Sequence, residues 1–259
     1  MYKNQRHDEI LNILKEEGFA SVRGLAERLY ASQPTIRRDL EFLQKEGLIH
    51  RSHGGAIPAD EKKRAPVSFR SGTRSKQKAN ICRMAAELIA SESILFTDAS
   101  TTVMHLADFL REEEDLTVVT NGYPICRSLS ERSIRTISTG GRLLKDSLAF
   151  VGSAAEETAS NFNADYFFFS SSALDEDGMI SDYSEEETAL RRIMIKRSRQ
   201  TVFLFDSEKF NRRSAYRVAP LKEITHVITD RPLPPELLQK NGLSLKKQTD
   251  DAVWYTTKT

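Results

Sequence analysis

Along the first fifty residues the apolar positions recur at helical spacing in three short runs. Ile10, Ile13 and Leu14 make the stripe of a first helix that ends near Gly18. Ser21 is placed to cap a second helix, with Val22, Leu25, Ala26 and Leu29 on one face. After a turn at Tyr30-Ala31, Ser32 caps a third helix. Pro34 falls in its first turn, where no N–H is needed, and Ile36, Leu40 and Leu43 follow as its stripe. The opposite face carries Pro34, Arg37, Arg38, Glu41 and Lys45, and Gly47 is placed to stop the helix. Residues 48–53 then read as a short strand that turns at Gly54-Gly55.

From Lys76 a helix runs through Ile81, Met84, Ala85 and Leu88, and the period then changes. Near-continuous apolar runs at 94–97, 116–119, 134–137, 166–169, 201–205 and 226–229 read as strands. Helical stretches near 102–112, 122–130, 153–162 and 184–199 separate them. That alternation predicts an α/β fold with a mostly parallel sheet covered on both faces. After Pro235 the pattern is weak, and Trp254 is expected to pack the tail down. The reading gives a head at 1–57, a connector at 58–75 with mixed charge and no period, and a second domain at 76–259.

Two helices joined by a short turn, the second one basic and followed by a basic hairpin, have the shape of a winged helix-turn-helix reader of DNA. Ser32, Gln33, Thr35, Arg37 and Arg38 are the candidates for base or phosphate contact, with Arg51 and His53 contributed by the wing. Taken alone, two adjacent arginines are as readily a solvated surface; the preceding helices favour the DNA reading.

In open α/β sheets, ligands bind outside the carboxyl ends of the strands. Those ends here read Asp98-Ala99-Ser100-Thr101-Thr102, Thr120-Asn121-Gly122, Ser138-Thr139-Gly140-Gly141-Arg142, Ser170 to Asp175, and Asp206-Ser207-Glu208-Lys209. Hydroxyls and N–H groups at a helix start suit a phosphate, because donors and dipole point at the anion. Gly140 and Gly141 would admit close backbone approach, and Asp98, Asp175 and Lys209 would reach sugar hydroxyls. Any one of these groups is more often a cap, a turn or a solvated charge. Their recurrence at five strand ends predicts a phosphorylated-sugar pocket from Asp98, Ser100, Thr101, Thr102, Thr120, Asn121, Gly140, Gly141, Asp175 and Lys209.

The strings T-I-R-R-D-L (35–40) and R-S-H-G-G-A (51–56) resemble the DNA-binding signature of DeoR-type bacterial transcriptional regulators. D-x-x-T-T, T-N, G-G and D-S-x-K-F further along are similar to that family's effector domain, so the resemblance covers nearly the whole chain. It implies a sensor similar in fold to ribose-5-phosphate isomerase, a sugar-phosphate effector, and a repressor of sugar-catabolism genes released by that effector. Ser100 stands where the family usually has glycine, which would narrow the loop or add a donor. Asn211 likewise replaces a common glycine.

Composition changes the picture in one respect. The 259 residues carry a net charge of only +1, yet residues 1–78 hold 16 Lys and Arg against 10 Asp and Glu, while the rest holds 22 against 27. A basic head on a mildly acidic body fits a DNA-binding module, with dimerisation or tetramerisation adding affinity. The two cysteines, Cys82 and Cys126, suggest no disulfide framework and a reducing cytoplasm. No signal peptide or membrane-spanning run is apparent. His7, His50, His53, His105 and His226 are scattered, so neither a metal site nor a cofactor is expected. The alternative is a sugar-phosphate isomerase with an accessory head, using Asp98, Asp175, Glu187 and Lys209 as acid and base. The basic helix has no purpose in that reading.

Overall fold

The computed structural model describes residues 3–52, 54–59 and 67–257. The chain divides into two compact units, Met1–Thr73 and Arg74–Thr259. Among the described residues no helix is long and apolar enough to cross a membrane.

In the first unit the three predicted stripes form α1 (Lys3–Glu17), α2 (Val22–Arg28) and α3 (Gln33–Lys45), with β1 (Ala20–Ser21) between α1 and α2. Ile10, Leu14, Leu25, Ile36 and Leu40 are fully buried where the stripes meet. Helix α3 closes with the Leu48 N–H returning to the Leu43 carbonyl at 3.0 Å. A hairpin of β2 (Ile49–Ser52) and β3 (Gly55–Pro58) follows. The sequence pattern missed β1, which pairs with β3 and makes the wing a three-stranded sheet in the order β1-β3-β2. A two-residue strand has no period to detect. The expected connector at 58–75 also needs correction: α4 (Val67–Gly72) lies within it and packs on the hairpin.

The second unit opens with α5 (Ser75–Ala86) and β4 (Ile94–Thr97). A 3₁₀ helix at Val103–Phe109 leads to β5 (Thr117–Thr120), α6 (Tyr123–Leu129) and β6 (Arg135–Ser138). A small ladder of β7 (Arg142–Leu143) and β8 (Phe150–Val151) precedes α7 (Ser153–Ser160) and β9 (Ala164–Phe169). A hairpin of β10 (Ala173–Leu174) and β11 (Met179–Asp182), then α8 (Glu185–Lys196), separates β9 from β12 (Ser198–Phe205). The chain finishes with β13 (Tyr216–Pro220), β14 (His226–Thr229), α9 (Pro235–Lys240), β15 (Leu243–Gln248) and β16 (Val253–Thr257).

The main sheet has eight strands in the order β15-β16-β14-β12-β9-β4-β5-β6. The six from β14 to β6 are parallel, and β15 and β16 add an antiparallel edge that the sequence reading did not resolve. Strand alternation assigns the two cores. Phe167 and Phe169 of β9, with Phe203 and Phe205 of β12, pack beneath α7 and α8 in a run of stacked rings with centroids 4.9 to 5.2 Å apart. Phe168, Val202 and Leu204 face the other way, onto α5, the 3₁₀ helix and α6. Each such buried side chain contributes roughly 1.5–3 kcal/mol relative to exposure. Trp254 of β16 is buried in this second core, as the tail reading expected, and its Nε1–H donates to His226 Nδ1 at 3.2 Å. A separate sheet, β10-β11-β13, packs its apolar side into the first core.

Candidate functional site

Helix α3 is built to present one face. Ser32 caps it, its Oγ accepting the Thr35 N–H at 3.3 Å and lying 2.8 Å from the Thr35 hydroxyl. Ser32 and Thr35 thus serve each other first. Gln33, Arg37 and Arg38 are exposed, and neither arginine has a side-chain partner among the described residues. In the wing, Arg51 is half-buried with an Nε that finds no hydrogen-bond acceptor. His53 lies outside the described residues. Gly55 is where β1 comes closest: a Cβ there would lie 2.2 Å from the Ala20 carbonyl oxygen, so the second glycine of the G-G string is a packing requirement of the three-stranded wing, while a Cβ at Gly54 would meet nothing among the described residues.

The sequence reading missed what aims this helix. Asp39, between Arg38 and Leu40, points inward and is 2 % exposed. Its Oδ2 accepts from Arg6 Nε at 2.6 Å, and its Oδ1 lies 3.1 Å from Arg6 Nη2 and 3.0 Å from His7 Nε2, both residues on α1. His7 in turn stacks on Phe42 of α3 with centroids 4.9 Å apart. Burial pushes the Asp39 carboxyl up, but the bonds from Arg6 and His7 outweigh it and hold the group below the usual carboxylate range. Its position was readable, three residues after Ile36 and four before Leu43, which puts it on the buried face.

In the second unit the strand order defines a switch point. The chain steps from β4 to β5 to β6 in one direction, then returns to β9 and continues through β12 and β14 in the other, so β4 and β9 are neighbours. The loops leaving β4 and β9 converge there. Asp98 joins them: its Oδ1 accepts the Ser100 N–H at 3.1 Å and its Oδ2 the Ser170 N–H at 3.2 Å. Arg191 Nε of α8 donates to the same Oδ2 at 2.8 Å. The Asp98 carboxylate is therefore taken up from within, and the expectation that it reaches a sugar hydroxyl gives way to a bracing role.

Arg191, 2 % exposed, also donates to Asp182 at 3.1 Å and Glu187 at 3.2 Å. Burial by itself would lower its pKa; the three carboxylates reverse that and raise it above the ordinary value. Glu187 and Arg191 stand at i and i+4, a spacing that reads as a solvated surface pair, which is why the sequence hid this cluster.

Two lysines approach the hydroxyls after β4. Lys78 of α5, only 4 % exposed, donates to Thr101 Oγ1 at 3.1 Å. Lys209 donates to Ser170 Oγ at 3.0 Å and lies 3.5 Å from Thr102 Oγ1 and 3.7 Å from Asp206. Lys78 escaped the sequence reading, although a lysine three residues before Ile81 and four before Cys82 falls on the apolar stripe, and that misplacement is the signal. The Ser100 hydroxyl turns inward and accepts the Val103 N–H at 3.2 Å. The side chain that departs from the family pattern therefore occupies one of the N–H groups opening the 3₁₀ helix.

The other predicted residues separate. Thr120 donates to the Thr97 carbonyl and accepts from the Gly122 N–H, both at 3.0 Å, and is wholly buried. Asn121 Nδ2 donates to the Phe150 carbonyl at 3.1 Å, while its buried Oδ1 has no partner. Gly140 and Gly141 both adopt positive φ, and a Cβ at 141 would lie 2.5 Å from the Val151 carbonyl oxygen, so this stretch presses on the start of α7 as only glycine can. Arg142 is engaged by both carboxylate oxygens of Glu186 at 2.6 Å. Asp175 does not join the lysines: its Oδ1 accepts from the Asp177 and Met179 N–H groups in the β10–β11 turn, and its Oδ2 pairs with Arg213 at 3.1 Å. Among the described residues no three His, Cys, Asp or Glu side chains assemble as metal ligands.

An exposed basic helix on a winged head, and a sheet with lysines at its switch point, make up one class of protein: a DNA-binding transcriptional regulator with an attached sensor. The chain belongs to the DeoR family of such regulators. Residues 6–62 match the DeoR-like helix-turn-helix domain and residues 73–231 the DeoR C terminal sensor domain. Its relatives include the glycerol-3-phosphate regulon repressor of Escherichia coli K12, 32% identical over 240 residues, covering 92% of this chain and 95% of that protein. Another is the uncharacterized HTH-type transcriptional regulator YulB of Bacillus subtilis, 36% identical over 233 residues, covering 89% of this chain and 90% of that protein. Among solved structures, a ribose 5-phosphate isomerase A from Methanocaldococcus jannaschii aligns at 12% identity with a TM-score of 0.41, over 53% of this chain and 55% of that one.

Proposed function

We propose that residues 1–57 bind operator DNA, that residues 76–259 bind a phosphorylated sugar or polyol, and that the chain is a cytoplasmic repressor of sugar-catabolism genes released by that ligand. The observation that carries the effector reading is the pair of ammonium groups, Lys78 and Lys209, on the consecutive hydroxyls of Thr101 and Thr102. Two cations beside hydroxyls at a switch point suit a dianionic phosphate. The name of the Escherichia coli relative makes glycerol 3-phosphate the first compound to try.

On DNA, α3 would enter the major groove with Gln33, Thr35, Arg37 and Arg38 at base edges or phosphates, and Arg51 with His53 of the wing beside the backbone. One good bidentate arginine pair gives roughly 1–3 kcal/mol of discrimination. A single short helix reads few base pairs, so symmetric half-sites and a homodimer or homotetramer follow. Ligand binding would favour a conformation whose heads do not span both half-sites.

Regulation is favoured over isomerisation by the state of the carboxylates. Of the four acid and base candidates of the enzyme reading, Asp98 and Glu187 are buried and bonded to Arg191, and Asp175 is bonded within its own turn and to Arg213, which leaves Lys209. A general base must instead face the substrate proton.

The test is a pair of variants of the full chain, measured for operator binding and for thermal stabilisation by glycerol 3-phosphate and a panel of sugar phosphates. Arg38→Ala should weaken operator binding and keep the stabilisation; Lys209→Ala should do the reverse. A ligand present at a hundredfold excess over Kd stabilises by about 2.7 kcal/mol. Lys209→Ala abolishing DNA binding with ligand affinity intact, or conversion of a ligand into another sugar phosphate, would overturn the proposal.

A further inference from the structure

One cavity of the sensor unit lies away from the switch point. It has a volume of about 550 Å³ and lies between the β10–β11 turn, the start and end of β13, and the end of α9. That size suits a small organic ligand. Of the residues predicted for effector binding, Asp175 alone lines it.

Its charges do not balance. Arg213, Arg217, Lys222 and Lys240 line the cavity against Asp175 and Asp177, an excess of two positive charges. Arg213 is neutralised by Asp175 at 3.1 Å and Asp177 at 3.3 Å, and Lys240 by Asp177 at 2.5 Å. Arg217 and Lys222 have no side-chain partner among the described residues. Beside them the Ser214 hydroxyl is buried with no hydrogen-bond partner, although the Ser214 N–H is held by Ser181 Oγ at 2.9 Å. A buried hydroxyl left without a partner is costly, and a turn of the Ser214 side chain towards the cavity it lines would let a ligand satisfy it.

We propose that this cavity is a second anion site, separate from the lysines at the switch point, and that it takes a small dianion carrying hydrogen-bonding oxygens. Arg217 and Lys222 supply the two charges, Ser214 a hydrogen bond, and the Arg213–Asp175–Asp177–Lys240 chain a preformed wall that costs no rearrangement on binding. A site of this kind would let the regulator respond to a second metabolite.

Inorganic phosphate is the probe, titrated calorimetrically into the full-length protein at low ionic strength, where surface attraction is least screened. The wild type should take up phosphate in two independent sets. The double variant Arg217→Glu/Lys222→Glu should weaken one set at least tenfold and leave the other, and Lys209→Ala should do the opposite. Both altered residues are exposed, so thermal unfolding of the double variant without phosphate should match the wild type. Lys222→Gln, which removes a charge without reversing it, should give an intermediate loss. If only the Arg217/Lys222 set exists, this proposal stands and the reading of Lys209 falls. A double variant that titrates like the wild type, or a wild type that takes up no phosphate, overturns the proposal.

Discussion

Arg74, the first residue of the sensor unit, donates to Glu208 at 2.7 Å, and Glu208 immediately precedes Lys209 in the chain. The same guanidinium bonds Asp230 and lies 3.5 Å from Asp206. Asp230 in turn accepts the Ser207 N–H at 2.6 Å. Burial by itself would lower the guanidinium pKa, but Asp230, Asp206 and Glu208 outweigh it and raise it. The segment that holds Lys209 against Ser170 and Thr102 is thus clamped to the residue at which the chain enters the sensor from the head.

A ligand bound at Lys209, as proposed above, would be coupled through Arg74 to the path of the chain into the head. Arg74→Gln should leave ligand-induced thermal stabilisation within twofold of the wild type in apparent affinity. It should also raise the ligand concentration needed for half-release of operator DNA by fivefold or more, the low end of ordinary coupling energies. Paired thermal-shift and DNA-release titrations check this. Equal losses in both would mean that Arg74 only stabilises the sensor.

The Arg191 cluster gives a prediction about stability. Removing one partner of a buried ionic network leaves uncompensated charge, at a cost of about 3–5 kcal/mol. Arg191→Leu leaves Asp98, Asp182 and Glu187 buried together, so urea unfolding of the sensor should shift by that amount. The sign of its pH dependence is distinctive. Crowded carboxylates without a cation have raised pKa values in the folded state, so the folded variant binds more protons than the unfolded chain and gains stability as pH falls from 7 towards 5. A variant that loses stability over that range would refute this account.

These residues also mark where the sequence stops being legible. The stripes of Ile10, Leu14, Ile36 and Leu40, and the alternation of Phe167 with Phe168, are periodic, so the head and the parallel sheet could be read directly. The strand-end reading grouped the Thr101–Thr102 loop with Lys209, and the two do lie together, because topology fixes where loops gather. It could not tell which polar groups there turn inward. Asp98 and Thr120 have the chemistry of ligand contacts, but their partners, Arg191 and the Thr97 carbonyl, lie 93 and 23 residues away in sequence. Asp175 was misplaced for another reason: β10 is two residues long, too short for any pattern to show that a hairpin carries the chain away.

In the head, Asp39 should govern the acid limit. Its folded-state pKa is lowered relative to the usual value near 4, so its contribution is present above that value and is lost as pH falls through the folded pKa. Asp39→Asn should destabilise the head at pH 7, because Arg6 and His7 lose a buried carboxylate, and should flatten the stability profile below pH 4. Operator affinity should fall with α3 no longer held to α1, although the substituted side chain itself touches no DNA in this reading. Circular dichroism melts across pH, together with operator titration, check both parts; an unchanged acid limb would assign the limit to other carboxylates.

The sensor should lose stability at a milder pH, through His226. Burial, aided by the charge of Lys246, lowers its pKa, and its contacts fit the neutral ring: Nδ1 accepts from the Trp254 indole N–H, and Nε2 lies 2.9 Å from Gln200 Oε1, to which it donates. The unfolded chain then binds a proton that the folded chain refuses, so stability falls as pH drops from about 6.5 towards the folded pKa. His226→Gln cannot take up that proton, and its stability should be flatter over this window even if lower at pH 8. His105, also lowered by burial with Lys78 nearby, adds a slope of the same sign and remains in the variant. The discriminating measurement is therefore the difference between the two stability profiles from pH 8 to 5, with Trp254 fluorescence as the local probe. A difference that does not change between pH 7 and 5 would mean that folded His226 takes up its proton as readily as the unfolded chain does, its partners accommodating the charge.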